Sequence, residues 1–123
     1  MANFSENIIN QVWQKGIIVE GYDSDKFRQD TCGAWMQKDK YGLEENLGWE
    51  IDHVYPVSKG GTDDLANLRP MNWQNNRSKA DNYPSYQCAI KSNDNKNVKS
   101  DESRTVNQSL QVTLKTKFKI KQI

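Results

Sequence analysis

Histidine occurs once in these 123 residues, cysteine twice and proline three times, and each scarcity closes off a class of function. Cys32 and Cys88 stand far apart and neither belongs to a Cys-x-x-Cys pair, so a zinc knuckle has no ligand set, and pooling both with His53 gives only three ligands. No structural zinc is expected. In a cytosolic chain the two cysteines are expected as buried or half-buried thiols, a disulfide being the less favoured alternative. No apolar run approaches the roughly 20 residues of a membrane span, and Met1 to Ile9 offers neither a basic leader nor a cleavable apolar stretch. A soluble, cytoplasmic chain with no membrane partner is the expectation.

Charge of one sign is scarce as well, the net being +1, but its distribution is uneven. Residues 1–50 carry five Lys/Arg against nine Asp/Glu, residues 51–90 four against four, and residues 91–123 eight against three. The positive field therefore belongs to the C-terminal third, where it can meet phosphates. Apolar residues make up 35%, low for a compact domain, while four Trp, five Tyr and three Phe supply large anchors for a small core. One domain plus polar trimmings fits this length.

Phe4, Ile8, Ile9, Val12 and Trp13 recur at helical spacing and stop before Gly16, which predicts an amphipathic helix over residues 4–15. Ile17 to Val19 reads as a short strand, and Phe27 to Tyr41 as a strand or tight hairpin. Gly48 to Val57 favours a strand ended by Pro56. Ser58 to Asp64 is turn chemistry, Leu65 to Met71 returns as a second strand, and Asn72 caps a helix from Trp73 to about Ala80. Residues 91–109 are rich in Asn, Ser and charge and read as a polar linker. From Leu110 onward apolar residues alternate with lysines, which predicts an amphipathic basic β-strand over 110–123, presenting Lys115, Lys117, Lys119 and Lys121 on one face. Its apolar face would be buried on this domain or on a second copy, so a homodimer through that strand is an open alternative.

The densest chemistry lies between Trp49 and Asn82. Hydrolysis of a phosphodiester needs a base for water, a cation for the charge on the phosphoryl and leaving oxygens, and anchors that hold the attack in line. Asp52 and His53 are adjacent, so on a regular strand they face opposite ways and converge only where the strand end is distorted. Pro56 and the loop after it make such distortion reasonable. The helix after Asn72 can bring Asn76 back over the hairpin as an oxygen ligand for a hard cation.

The sequence Ile-Asp-His-x-x-Pro-x-Ser-x-Gly-Gly-x-x-x-x-x-Asn-Leu over residues 51–68, followed by Asn76-Arg-Ser-Lys79, resembles the HNH (ββα-metal) endonuclease family. Asn67 stands 14 positions after His53 and Asn76 nine after Asn67, spacings similar to those of the HNH domain in the RNA-guided CRISPR nuclease. Cys32-Gly33-Ala34-Trp35 and Asp81-Asn82-Tyr83-Pro84 are more weakly similar to stand-alone bacterial HNH proteins. The resemblance implies an α+β fold with a ββα-metal core over residues 48–82, inside a domain of residues 1–90 that begins with a helix.

It implies further that His53 is the general base, that Asp52 and Asn76 hold Mg²⁺, Mn²⁺ or another divalent cation, and that Asn67 braces the loop and orients the imidazole. Arg77 and Lys79 are candidates for contact with the DNA phosphate or for stabilising the leaving group, and Lys115, Lys117 and Lys119 for contact with the DNA backbone. Glu50 is read as an extra ligand or as the partner of Arg69 or Arg77. Many members of the family bind structural zinc through paired cysteines, the last pair falling at Asn72 and Asn75 here; packing of Trp35, Trp49 and Trp73 is expected to replace that metal.

The expected function is divalent-metal-dependent cleavage of DNA. A nucleic-acid-binding module that has lost turnover is one alternative. A nuclease toxin or effector domain is another; with no delivery domain upstream in this chain, bacterial or phage defence is the preferred setting.

Overall fold

The computed structural model describes residues 3–120, so Lys121, the last lysine of the expected basic strand, lies outside the described residues. Helix α1 spans Glu6–Trp13 and is started by Ser5, whose hydroxyl accepts from the Ile8 amide. Its apolar stripe buries Val12 and Trp13 completely. The segment Ile17 to Val19 makes only one isolated bridge, Ile17 with Gln29, and Ile17 and Ile18 remain exposed, so the expected strand is not formed. Strands β1 (Phe27–Gln29) and β2 (Trp35–Gln37) form the expected hairpin.

The centre of the molecule is strand β3 (Trp49–His53), a long loop, antiparallel strand β4 (Leu68–Asn72) and helix α2 (Trp73–Lys79). The register pairs Trp49 with Asn72, Asp52 with Arg69 and His53 with Leu68. Asn72 ends β4 and caps α2, its side chain accepting from the Gln74 amide, so the helix departs directly from the strand.

Residues 91–109 are not a linker. Strand β5 (Ser85–Gln87) pairs antiparallel with β8 (Ser103–Thr105), and β6 (Ile90–Asn93) pairs antiparallel with β7 (Lys96–Lys99). Asp94 takes a positive φ of 57° in the β6–β7 turn, a conformation that Asp tolerates better than most residues. These ribbons need few inward positions: Tyr86 and Ile90 fill the buried ones, and Val106 is buried just beyond β8. Their polar composition reflects two-stranded ribbons facing water, not absence of structure.

The C-terminal strand is also corrected: Gln108–Phe118 is helix α3, capped by Asn107, whose side chain accepts from the Leu110 amide. Leu110, Leu114 and Phe118 are four apart, so the pattern that alternates along a strand also makes a helical stripe. Leu114 is fully buried, with Leu110 and Phe118 packed around it, while Val112 is exposed. Of the two alternatives for the apolar face, burial on this domain or on a second copy, the first holds for most of it.

Two apolar clusters form the core. Val12, Trp13, Met36, Trp49, Ile51 and Leu68 make one; Cys32, Val54, Met71, Tyr86, Cys88, Val106 and Leu114 make the other. Cys32 and Cys88 are joined as a disulfide, with Cα atoms 5.9 Å apart, against the expectation of thiols. Packing of the β1–β2 turn against β5 brings them together from a separation of 56 residues, which local pattern does not reveal.

Beside this disulfide, the positions at which the resemblance expects zinc cysteines converge on Asp30 instead. Its Oδ1 accepts from the Cys32 and Ala34 amides, and its Oδ2 from the Asn72 amide and Asn75 Nδ2. Asn75 Oδ1 accepts from the Ala89 and Ile90 amides. A hydrogen-bonded carboxylate hub therefore ties the β1–β2 turn to α2 and β6, where tryptophan packing was expected to stand in for a metal. Burial pushes the Asp30 carboxyl up from its ordinary range, and the four N–H donors partly offset that push.

Candidate active site

Alternation along β3 places Glu50 and Asp52 on one face and Ile51 and His53 on the other. Helix α2 covers the Glu50–Asp52 face. Asn76 and Lys79, one helical turn apart, meet the two carboxylates in order. Asn76 Nδ2 donates to Glu50 Oε1 at 3.1 Å, and Lys79 Nζ lies 3.2 Å from Asp52 Oδ1. With its Nδ2 spent on Glu50, Asn76 has its Oδ1 free of hydrogen bonds from the described residues.

Asp52 is nearly buried and its second oxygen, Oδ2, accepts from Arg69 Nε at 2.8 Å across the β3–β4 ladder. Lys79 has no exposed surface and also donates to the backbone carbonyl of His53 at 3.2 Å. It is therefore a buried strut that joins α2 to the end of β3, not a surface lysine for phosphate. Burial lowers its ammonium pKa, the charge of Arg69 lowers it further, and Asp52 opposes both. The Arg69 guanidinium stacks over Tyr86 at 5.0 Å, and its Nη2 is buried without a hydrogen-bond partner among the described residues.

His53 sits at the end of β3 with its ring partly exposed and Nε2 2.7 Å from Asp63 Oδ1. An ionised carboxylate only accepts, so Nε2 is the donor in this bond, and in the neutral imidazole Nδ1 is then the nitrogen that keeps its lone pair. Asp63 belongs to the loop after the glycines, a stretch that reads in the sequence only as a turn. Pairing at this distance is the feature that sequence reading missed.

The loop holding Asp63 is fixed by Asn67. Asn67 Oδ1 accepts from the Tyr55 amide at 2.7 Å, and Nδ2 donates to the carbonyls of Tyr55 and Thr62 at 3.0 Å each. Asn67 thus closes the loop on itself, its side-chain hydrogen bonds going to Tyr55 and Thr62 and not to the His53 ring. Gly61 is required by the same closure, because a Cβ there would stand 1.8 Å from the Tyr55 carbonyl oxygen.

Asp52, His53 and Asn76 line one cavity of about 270 Å³, together with Pro56, Ser58 and Asp81. His53 and Asn76 also line a neighbouring cavity of about 600 Å³ with Glu50, Asp63, Phe4 and Tyr41. Among the described residues no group of three or more His, Cys, Asp or Glu is placed to hold a metal ion. Asp52, Asp81, Asn76 and Ser58 bring carboxylate, amide and hydroxyl oxygens to the smaller cavity, hard donors that fit a cation completing its shell with water and phosphate.

The other expected residues are dispersed. Arg77 is exposed, 2.8 Å from Glu44 and 3.4 Å from Glu50, and stacks over Trp73 at 4.9 Å. Glu50 is therefore the partner of Arg77 and of Asn76, and Arg69 belongs to Asp52. Lys117 is held by Asp64 at 2.9 Å, while Lys115 on α3 and Lys119, which caps its C-terminus, are exposed. No helix is long and apolar enough to cross a membrane among the described residues.

No curated protein and no solved structure gives a significant match to the chain. Residues 37–82, the span from the end of β2 through β3, β4 and α2, match the family model described as HNH endonuclease.

Proposed function

We propose that this protein is a divalent-metal-dependent endonuclease that hydrolyses DNA phosphodiester bonds through a ββα-metal core formed by β3, β4 and α2. The observation that supports this reading best is the shared cavity of Asp52, His53 and Asn76, with His53 Nε2 already engaged by Asp63. In this reading His53 Nδ1 takes the proton from a water whose oxygen attacks phosphorus; the P–O bond to the departing oxygen breaks, and that oxygen takes its proton from solvent. Asp63 holds the ring in the tautomer that leaves Nδ1 unprotonated. Asn67 keeps the loop that carries Asp63 closed.

Asp52 and Asn76 would hold the divalent cation, which when bound neutralises charge on the phosphoryl and leaving oxygens. Glu50 keeps the Asn76 amide oriented, so that its oxygen and not its NH₂ group is the free end. Arg77, on the exposed surface beside Glu50, is the arginine of α2 placed to meet a phosphate.

A second reading has its own support. Both oxygens of Asp52 are engaged by cations, Arg69 and Lys79, which is the arrangement expected of a nucleic-acid-binding module that has lost turnover. Supercoiled plasmid incubated with Mg²⁺ or Mn²⁺ separates the two. The nuclease reading expects nicking or linearisation by the parent and its loss in His53→Ala and Asn76→Ala. DNA binding without cleavage under either metal would favour the binding module, and equal cleavage by all three proteins would remove His53 and Asn76 from the chemistry.

A further inference from the structure

A third cavity, of about 490 Å³, lies on the other side of the loop that follows β3, between that loop and α3. Its walls are Tyr55 and Tyr83, the amide side chains Gln108 and Gln111, and the lysines Lys59 and Lys115. Among the described residues no acidic one lines it, in contrast to the neighbouring cavities, which hold Asp52 and Asp81 in one and Glu50 and Asp63 in the other. Its volume falls within the roughly 300–1,000 Å³ typical of ligand pockets.

Tyr55 and Tyr83 meet nearly edge to face, 5.1 Å between centroids at 79°, and Phe118 of α3 stacks on Tyr55 at 5.7 Å. Phe118 thereby fixes one aromatic wall. Tyr55 is two residues beyond His53, and a two-residue stretch spans at most about 7 Å. Pro56 and Ser58 line the cavity of Asp52 and His53, while Tyr55 and Lys59 line this one, so the two pockets are separated by a single pass of chain.

We propose that this pocket binds one unpaired nucleotide next to the scissile phosphate, its base against Tyr83 and Tyr55 and its phosphate at Lys59 and Lys115. The proposal rests on the nuclease reading for the position of the scissile phosphate, but the pocket itself stands on its lining. Aromatic faces accept any base, the Gln108 amide offers a donor and an acceptor to a base edge while Gln111, its Nε2 donating to the Val106 carbonyl, offers its oxygen, and two lysines with no acid opposite them among the described residues suit a phosphate. A base in a duplex is held inside the stack and cannot enter a pocket beside its own backbone. The substrate class that follows is DNA with a single-stranded, flapped or extruded nucleotide at the cut.

The test measures binding in EDTA, where cleavage plays no part, by fluorescence anisotropy of a labelled short oligodeoxynucleotide, single-stranded or annealed to its complement. Single-stranded DNA is expected to bind more tightly than the duplex. Tyr83→Ala is expected to weaken single-strand binding about tenfold while changing duplex binding less than about twofold, and Tyr83→Phe to retain the parent affinity, because stacking needs the ring and not the hydroxyl. Lys115→Ala is expected to weaken single-strand binding and to flatten its dependence on salt. Unchanged single-strand affinity in Tyr83→Ala, or an equal loss for both DNA forms, overturns the pocket. A parent that binds as expected but never cleaves with Mg²⁺ or Mn²⁺ overturns the nuclease reading and leaves the pocket standing.

Discussion

Asp63 Oδ1 lies 2.7 Å from His53 Nε2, joining an exposed loop carboxylate to the only imidazole in the protein. Within the nuclease reading this pair decides which ring nitrogen faces water. Asp63→Asn can still accept through its amide oxygen but no longer supplies a charge, and Asp63→Ala supplies neither. We expect kcat to fall by about 10-fold in the first and about 100-fold in the second, the range seen when partners that orient a site's first-contact residues are removed, with KM little changed. Steady-state cleavage of a fluorogenic oligonucleotide measures both. A rise in KM at constant kcat would place Asp63 in substrate binding.

How far the residues announced this site depends on distance along the chain. The β3–loop–β4–α2 order was legible because Asn72 is a strong cap, Pro56 ends a ladder and the Gly60-Gly61 turn separates two short apolar runs. Asp52, His53 and Asn76 could be named from their motif. Their partners could not: Arg69 finds Asp52 through strand register, and Asp63 finds His53 through a loop whose closure depends on Asn67. The alternation of Leu110, Val112 and Leu114 with polar residues satisfied a period of two, while Leu110, Leu114 and Phe118 satisfied a helical stripe equally well. Burial of Leu114 in the second cluster, a tertiary fact, decides for the helix.

Cys32 and Cys88 close a long loop across the hub of Asp30, Asn72 and Asn75. Closing a loop with 56 residues of separation corresponds to about 4 kcal/mol in the chain-entropy model. Denaturant unfolding in the presence of a phosphine reductant, or of the Cys32→Ser/Cys88→Ser double variant, is therefore expected to show a stability loss on the order of 2–4 kcal/mol. EDTA is expected to leave the unfolding midpoint where it was, because hydrogen bonds to Asp30 occupy the positions of the family's zinc ligands. A chelator-induced loss comparable to that of the reductant would show that a metal holds this region.

Lys15, at the end of α1, donates to the carbonyls of Leu65 and Leu68 and so fastens α1 to the start of β4. Burial lowers its pKa below the ordinary 10.5, and Asp64 opposes the shift. The charged form is thus the one that folding disfavours. Over the interval between the lowered folded value and 10.5, the unfolded chain binds more protons, so stability contributed at this site rises with pH there. Lys15→Met removes the titration. The difference in unfolding free energy, parent minus variant, is expected to increase from neutral pH toward pH 10.5; a difference independent of pH would show that the carbonyl contacts leave the ammonium as well solvated as in the unfolded chain.

Lys79 offers the sharpest separation of stability from cation binding, because it has no exposed surface and touches both Asp52 and the His53 backbone. Lys79→Met keeps most of the volume and removes the charge. Asp52 keeps Arg69, so the variant remains folded but loses about 2 kcal/mol, the usual scale for a charged hydrogen bond within a buried pair. In the nuclease reading the same change removes a positive charge that competes for Asp52 Oδ1, so Mn²⁺ is expected to bind the variant several-fold more tightly by isothermal titration. The two effects have opposite signs for protein stability and metal affinity, which a general loosening of the fold does not produce. Weaker or unchanged Mn²⁺ binding in a folded Lys79→Met would mean that Asp52 serves Arg69 and Lys79 as a structural anion, and the cation would have to be held without it.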